Sequence, residues 1–205
     1  LGLKSKEIWL KMIHGEAGYL KKLLEEVFGF SSFRPGQLEI IENIIEKQNI
    51  LAVMPTGAGK SLCYQLPAIY SEKKTIVVSP LVALMDDQVS SLLQLGVQVS
   101  KIHSGVAREE NVEQWKRFAS QKCNILYLSP ERLMQPRMIE ALKRFPIELF
   151  VVDEAHCISK WGADFRPDYE NLANLQRFFP DAKFAAFTAT ADKATRSDIA
   201  KKLTN

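Results

Sequence analysis

A run of apolar residues, Ile50 to Met54, leads directly into Pro55-Thr56-Gly57-Ala58-Gly59-Lys60-Ser61, and a helical pattern follows from Ser61 to Tyr70. This strand, loop and helix order constrains the fold more than any other feature of the chain. It is the setting in which backbone N–H groups and a helix N-terminus cradle phosphates. A Cβ at either glycine of such a loop blocks the tight turn or the approach of an anion to the backbone. Thr56, Gly57, Ala58 and Gly59 are therefore read as the cradle, Lys60 as the side chain reaching the terminal phosphates, and Ser61 as a magnesium ligand.

Five more short runs have the β-branched or apolar character of buried strands: Thr75 to Ser79, Val99 to His103, Asn124 to Leu128, Leu149 to Asp153 and Phe184 to Thr188. Helical patterns lie between them, at Val82 to Leu95, Arg108 to Ser120 and Arg137 to Phe145, and a last one spans Lys193 to Leu203. Alternation of this kind predicts an α/β fold with a mainly parallel sheet and helices on both faces. Upstream, apolar spacing over Lys4 to Phe28 predicts two short amphipathic helices broken near Gly15 and Gly18, and Pro35 is placed in the first turn of a further helix. With 205 residues and no Gly/Ser-rich or Pro-rich linker, one domain is expected. Residues 24–205 are assigned to it and residues 1–23 to an N-terminal helical extension.

At the end of the fifth strand stands Asp153-Glu154-Ala155-His156. In a parallel sheet this is the C-terminal edge, where ligands of open α/β folds bind. Asp153 is expected to hold magnesium through water and Glu154 to polarise the water that attacks the γ-phosphoryl group. A phosphate loop and an acidic pair after separate apolar strands together indicate hydrolysis of ATP with Mg2+.

Bulk properties exclude more than they indicate. A net charge of +3 permits a nucleic-acid groove without suggesting one, and 46% hydrophobic with 25% charged residues argues against long disorder. Cys63, Cys123 and Cys157 have no paired ligand spacing and read as reduced, buried thiols; His14 and His103 likewise have no clustered partners. No apolar run approaches the roughly 20 residues needed to cross a bilayer, so a membrane is not an expected partner and an intracellular location is.

Several segments carry a family resemblance. Asp153 to His156 resembles the DEAH form of the superfamily 2 helicase motif, and Phe187-Thr188-Ala189-Thr190-Ala191 resembles its motif III. Phe28-Gly29-Phe30-Ser31-Ser32-Phe33-Arg34-Pro35-Gly36-Gln37 resembles motif 0 of the RecQ helicases, and Ile158 through Trp161, Phe165 and Arg166 to Tyr169 resembles their aromatic-rich loop. The similarity runs from about Leu24 to the end of the chain. Met54, where a generic phosphate loop has Gly, fits helicase loops that begin Pro-Thr-Gly, and Ala58 replaces a glycine usual in RecQ proteins.

This resemblance implies a RecA-like P-loop NTPase domain, the first motor domain of a RecQ-type 3′–5′ DNA helicase serving DNA repair or recombination. It assigns adenine contacts to Phe30, Arg34 and Gln37, a pairing that makes chemical sense. An aromatic face stacks on the base, and an amide can bond its N6 and N7 edge. Phe33 reads as a core aromatic and Phe28 as either core or site. His156 joins Lys60 and Glu154 among the catalytic residues. DNA contacts fall on Ser79, Pro80 and Gln88 of motif Ia, Ser129 of motif Ib, and Trp161, Phe165 and Arg166, where aromatic and cationic side chains suit unpaired bases and phosphates. Ala163 stands where the family commonly has a His that links DNA binding to hydrolysis. Expected partners are single-stranded and partially duplex DNA and a second RecA-like domain, in the bacterial cytoplasm or in a nucleus. The motifs after motif III, with their arginine finger, are absent from these 205 residues, so this chain alone is expected to bind ATP weakly, hydrolyse it poorly and unwind nothing. A DEAH-type RNA motor and a nucleic-acid adaptor with a vestigial ATP site are the competing readings.

Overall fold

In the computed structural model, residues 3–161 and 164–204 are described, with side chains from residue 16 onward; Gly162 and Ala163 lie outside them. Six strands form one sheet: β1 Ile50–Val53, β2 Lys74–Val78, β3 Val99–Ile102, β4 Ile125–Leu128, β5 Ile147–Val152 and β6 Lys183–Thr188. Their order is β1-β6-β5-β2-β4-β3, and every neighbouring pair is parallel. Each run predicted as a strand is one, and the central strands show why, since a parallel strand buried on both faces needs an apolar run rather than an alternating one.

Side chains leave a strand alternately, so each strand feeds two cores. Ile76, Val78, Leu126, Leu128, Phe150 and Val152 face one way, against Phe118 of α5 (Arg108–Ala119), Ile139 and Leu142 of α6 (Pro136–Leu142) and Ile199 of α7 (Lys193–Ile199). Val77, Ile125, Tyr127, Leu149 and Val151 face the other. There they meet Leu20 and Leu24 of α1 (Leu3–Phe28), Ile41 and Ile44 of α2 (Gln37–Ile45), Leu62 and Leu66 of α3 (Lys60–Ser71), and Met85 and Val89 of α4 (Val82–Gln94). The expected α/β architecture, with helices on both faces, is the one found.

Four local expectations are corrected. The N-terminal segment is one helix and not two, since α1 runs unbroken through Gly15 and Gly18. A helix-interior glycine is unfavourable by only about 1 kcal/mol, and full burial of Leu20 and Leu24 offsets that. Pro35 lies before α2 and not in its first turn, because Gly36 takes a left-handed φ of 80° that no helix can pass through. α6 stops at Leu142, short of Phe145, whose ring leaves the helix to meet Trp115 and Phe118 edge-on. The last helix changes pitch after Ile199 into a wider turn, Ala200–Thr204, that sinks Leu203 into the core.

All three cysteines are free and buried. Burial pushes the Cys63 thiol up to about 12 and that of Cys157 to about 11, so neither forms a thiolate near neutrality. Among the described residues no His, Cys, Asp or Glu cluster could hold a metal unaided, and no helix is long and apolar enough to cross a membrane.

Phe150 sits at the centre of the first core, fully buried, its ring stacked on Phe184 at 5.4 Å and tilted against Phe179 at 4.9 Å. Phe150→Ala is expected to lower stability by about 3–5 kcal/mol. Urea denaturation followed by circular dichroism measures this, and a loss below about 1 kcal/mol would show that the cavity collapses.

Candidate active site

The parallel sheet sends the loops after β1, β2, β4, β5 and β6 to one edge. Residues 55–59 turn there between β1 and α3. Gly57 and Gly59 both hold a left-handed φ, at 81° and 80°. A Cβ on Gly57 would meet open space, whereas one on Gly59 would lie 2.4 Å from Gln37 Nε2. Glycine at 59 is thus required twice, by backbone conformation and by the amide packed over it.

That amide explains how the segment before α2 shapes the loop. Gln37 is buried, accepts the Arg34 backbone N–H at 2.8 Å and donates to the carbonyls of Ala58 and Gly59 at 3.1 and 3.3 Å. The Arg34 guanidinium donates to the Gly57 carbonyl. With these carbonyls drawn backwards, the first N–H groups of α3 are left at the cleft. In this arrangement Gln37 supports the loop, and pairing its amide with a base requires release from Ala58 and Gly59. Phe30 stays 53% exposed at the rim, while Phe28 and Phe33 pack against the core. The site aromatic is therefore Phe30.

Across β6, β5 delivers Asp153 and Glu154. The Lys60 ammonium lies 3.7 Å from Glu154 Oε1. Glu154 itself takes a left-handed φ of 48°, which for a non-glycine residue stores strain and is concentrated at functional sites. This bend turns its carboxylate toward His156, whose Nδ1 is 3.3 Å from Glu154 Oε2 and 2.9 Å from Thr188 Oγ1. Because the Thr188 hydroxyl donates to the Thr190 carbonyl at 3.0 Å, it accepts from His156 Nδ1–H. The second and third motifs are joined by that one hydrogen bond.

Asp153 is 2% exposed, so its charge needs partners. Oδ1 accepts the Glu154 N–H at 2.9 Å, and Oδ2 faces the Tyr64 hydroxyl at 3.1 Å and Gln88 Nε2 at 3.4 Å. Its main-chain carbonyl accepts from the hydroxyl of the fully buried Tyr169 at 3.1 Å.

A cleft of about 470 Å³ gathers Phe30, Arg34, Gln37, Thr56, Gly57, Gly59, Lys60, Ser61, Gln88, Asp153 and Glu154. Gln88 is among them. Expected at a nucleic-acid contact, it lies within the cleft against Asp153, because Gln88 falls two turns into α4 on the side facing α3. Ser32, Leu84 and Leu62 also line the cleft without having been singled out. Tyr64 was missed too; in sequence it is one more apolar position on α3, and its only signal is the four-residue step from Lys60.

The remaining predicted contacts share the edge but lie outside the cleft. Arg166 donates to the Pro80 carbonyl at 3.0 Å, which ties the aromatic-rich loop to the loop after β2. Trp161 is 75% exposed, and Lys160 lies 6.0 Å from the centre of the half-buried Phe165 ring. Ser79 and Ser129, by contrast, are buried, and the Ser129 hydroxyl donates to Glu131 Oε1 at 2.5 Å. Each strand turns straight into a helix there and tucks its serine under the loop, so neither hydroxyl is on the surface.

The donor set fits a magnesium nucleotide. Ser61 and Asp153 supply hard oxygen atoms on two sides of the cleft, and Mg2+ in nucleotide sites needs only one or two protein ligands beside phosphate oxygens. A glycine-lined turn with a lysine beside it supplies the anion cradle.

Comparison with known proteins agrees with this geometry. Residues 34–199 match the family model for the DEAD/DEAH box helicases. The chain is similar to the ATP-dependent DNA helicase RecQ of Haemophilus influenzae, 43% identical over 181 residues, covering 88% of this chain and 29% of that protein. A probable ATP-dependent DNA helicase RecS of Bacillus subtilis is 45% identical over 181 residues, covering 88% of this chain and 36% of its own length. The chain thus spans about a third of the length of these relatives. In fold it is similar to the DEAD-box helicase Mss116 bound to ssRNA and UDP-BeF, with TM-score 0.72 and 21% identity over 93% of this chain and 42% of that one.

Gly59→Ala is expected to destabilise the chain by about 1–2 kcal/mol through the left-handed backbone alone. It should also weaken binding of a fluorescent ATP analogue by about tenfold or more, as the added Cβ against Gln37 distorts the turn that cradles the phosphates. Wild-type affinity in the alanine variant would mean that Gln37 does not hold the loop.

Proposed function

The chain belongs to the DEAD/DEAH box helicase family, and from that premise we propose that it is the ATP-hydrolysing motor domain of a RecQ-type DNA helicase. One observation carries the reading. A phosphate loop on β1 and an acidic pair on β5, separated in the sheet by β6, converge on one cleft with Lys60 3.7 Å from Glu154.

On this reading Lys60 and the first N–H groups of α3 hold the β- and γ-phosphates. Ser61 and Asp153 hold Mg2+, which when bound neutralises charge on the phosphates. Glu154 orients the attacking water and takes up its proton, and His156, fixed on Thr188 Oγ1, limits where the Glu154 carboxylate can swing. Phe30 stacks on the base, and Arg34 and Gln37 recognise it once the nucleotide draws them from the loop. Single-stranded DNA crosses the neighbouring edge over Trp161, Phe165, Arg166 and the backbone of Ser79, Pro80 and Ser129. The Arg166 bond to Pro80 makes the aromatic-rich loop and the loop after β2 one surface. A second RecA-like domain completes the cleft with an arginine finger, worth roughly 10³ to 10⁵ in rate in related systems.

In the full-length helicase, Glu154→Gln should keep ATP binding and reduce hydrolysis by about 10²-fold or more. Single-stranded DNA should stimulate the wild-type ATPase well above an RNA of the same sequence. Full ATPase in the Glu154→Gln protein would leave a nucleic-acid adaptor, and preference for RNA would identify an RNA motor.

A further inference from the structure

Tyr64 has no part in the mechanism just given, yet its side chain reaches the cleft's metal-facing carboxylate. It is fully buried on α3, one turn after Lys60, with its ring edge-on to Phe187 at 5.2 Å. Its hydroxyl lies 2.8 Å from Gln88 Oε1 and 3.1 Å from Asp153 Oδ2, and Gln88 Nε2 lies 3.4 Å from the same Oδ2. The three side chains close a small ring that draws on α3, α4 and the end of β5.

A phenol has one proton and here it has two acceptors. When Tyr64 donates to Gln88 Oε1, the Gln88 amide turns its N–H toward Asp153; when Tyr64 donates to Asp153, the carboxylate has the phenol directly. In both arrangements Oδ2 is hydrogen-bonded from behind. A phenol keeps its proton near neutrality, so it remains a donor. Tyr64 therefore touches the carboxylate assigned to the metal.

We propose that Tyr64 and Gln88 are positioning residues that fix the Asp153 carboxylate for the magnesium-bound nucleotide. A carboxylate that meets Mg2+ through water has a narrow range of useful orientations, and groups bonded behind a ligand set that orientation and its basicity. Set on α3 and α4, the pair holds Asp153 before any nucleotide arrives, so the order is built into the fold. The inference rests on the nucleotide site described above and concerns its metal dependence alone.

The test uses the 205-residue chain and a fluorescent ATP analogue, titrated with and without Mg2+. Wild type should bind more tightly with Mg2+, and the ratio of the two affinities measures what the metal adds. Tyr64→Phe keeps the ring on Phe187 and removes only the hydroxyl; it should cut that ratio by about tenfold, within the range usual for groups behind a metal ligand. Gln88→Ala should shift it in the same direction, and since Gln88 is only half-buried it carries the test if Tyr64→Phe proves unstable in thermal unfolding. Wild-type Mg2+ dependence in a folded Tyr64→Phe, or in Gln88→Ala, would overturn the positioning role and leave the nucleotide site standing. A wild-type chain whose nucleotide binding ignores Mg2+ would overturn both.

Discussion

Strand β6 pairs in parallel with β1 on one side and β5 on the other, and the cleft depends on that spacing. Neighbouring strands lie about 4.8 Å apart, so the ends of β1 and β5 are held about 10 Å from each other. An extended lysine on the phosphate loop can bridge that gap to a carboxylate on β5, and a bound phosphate can fit between them. A strand more would separate the two ends too far, and a strand fewer would close the cleft. The register Val53 to Thr188 and Val152 to Ala186 brings both strands to one edge, with β1 ending two residues farther along β6 than β5. β6 also brings Thr188 to that edge, where it fixes His156.

Around this frame the polar groups are arranged so that the buried Asp153 is met by donors from several elements. Asp153 is bonded from α3 through Tyr64, from α4 through Gln88 and from the aromatic-rich loop through Tyr169. The loop that would meet nucleic acid is thereby attached to the backbone of the residue that would meet the metal, and it reaches the carboxylate by way of α4: Arg166 holds Pro80 just before α4, and Gln88 follows on α4. Contact between the two halves of the chemistry is physical, through packed side chains and helices, and needs no distant rearrangement to exist.

Motif segments were legible because their chemistry demands particular residues at particular places. Lys60 and Ser61 had to follow a tight glycine turn, and Asp153 and Glu154 had to end an apolar strand. Most strands could be read from their apolar runs, since burial on both faces favours an unbroken run, while the edge strand β3 keeps its apolar ends around Ser100 and Lys101. Helix ends were less legible, as at α1, α2 and α6, because a glycine's small penalty or a ring's preference for a distant neighbour is settled by packing. Gln88 and Tyr64 illustrate a deeper limit. Gln88 was read as a DNA contact and Tyr64 was not singled out, and only the crossing of α3 and α4 over β5 puts both on Asp153.

From its sequence alone this chain determined a parallel α/β domain, an anion-cradling loop and an acidic pair, since these follow from local backbone geometry and from periodicities of one strand or one helix. The family likeness could be read there too, in runs such as Phe28 to Gln37. Tertiary structure alone decided which groups support the chemistry: Gln37 behind the loop, Thr188 behind His156, and Tyr64 and Gln88 behind Asp153. Those partners lie 21, 32, 89 and 65 positions apart in the chain. No local pattern joins residues so separated; they meet because six strands stack in an order that chain sequence does not follow, and hydrogen bonds form between whatever groups that order brings within reach.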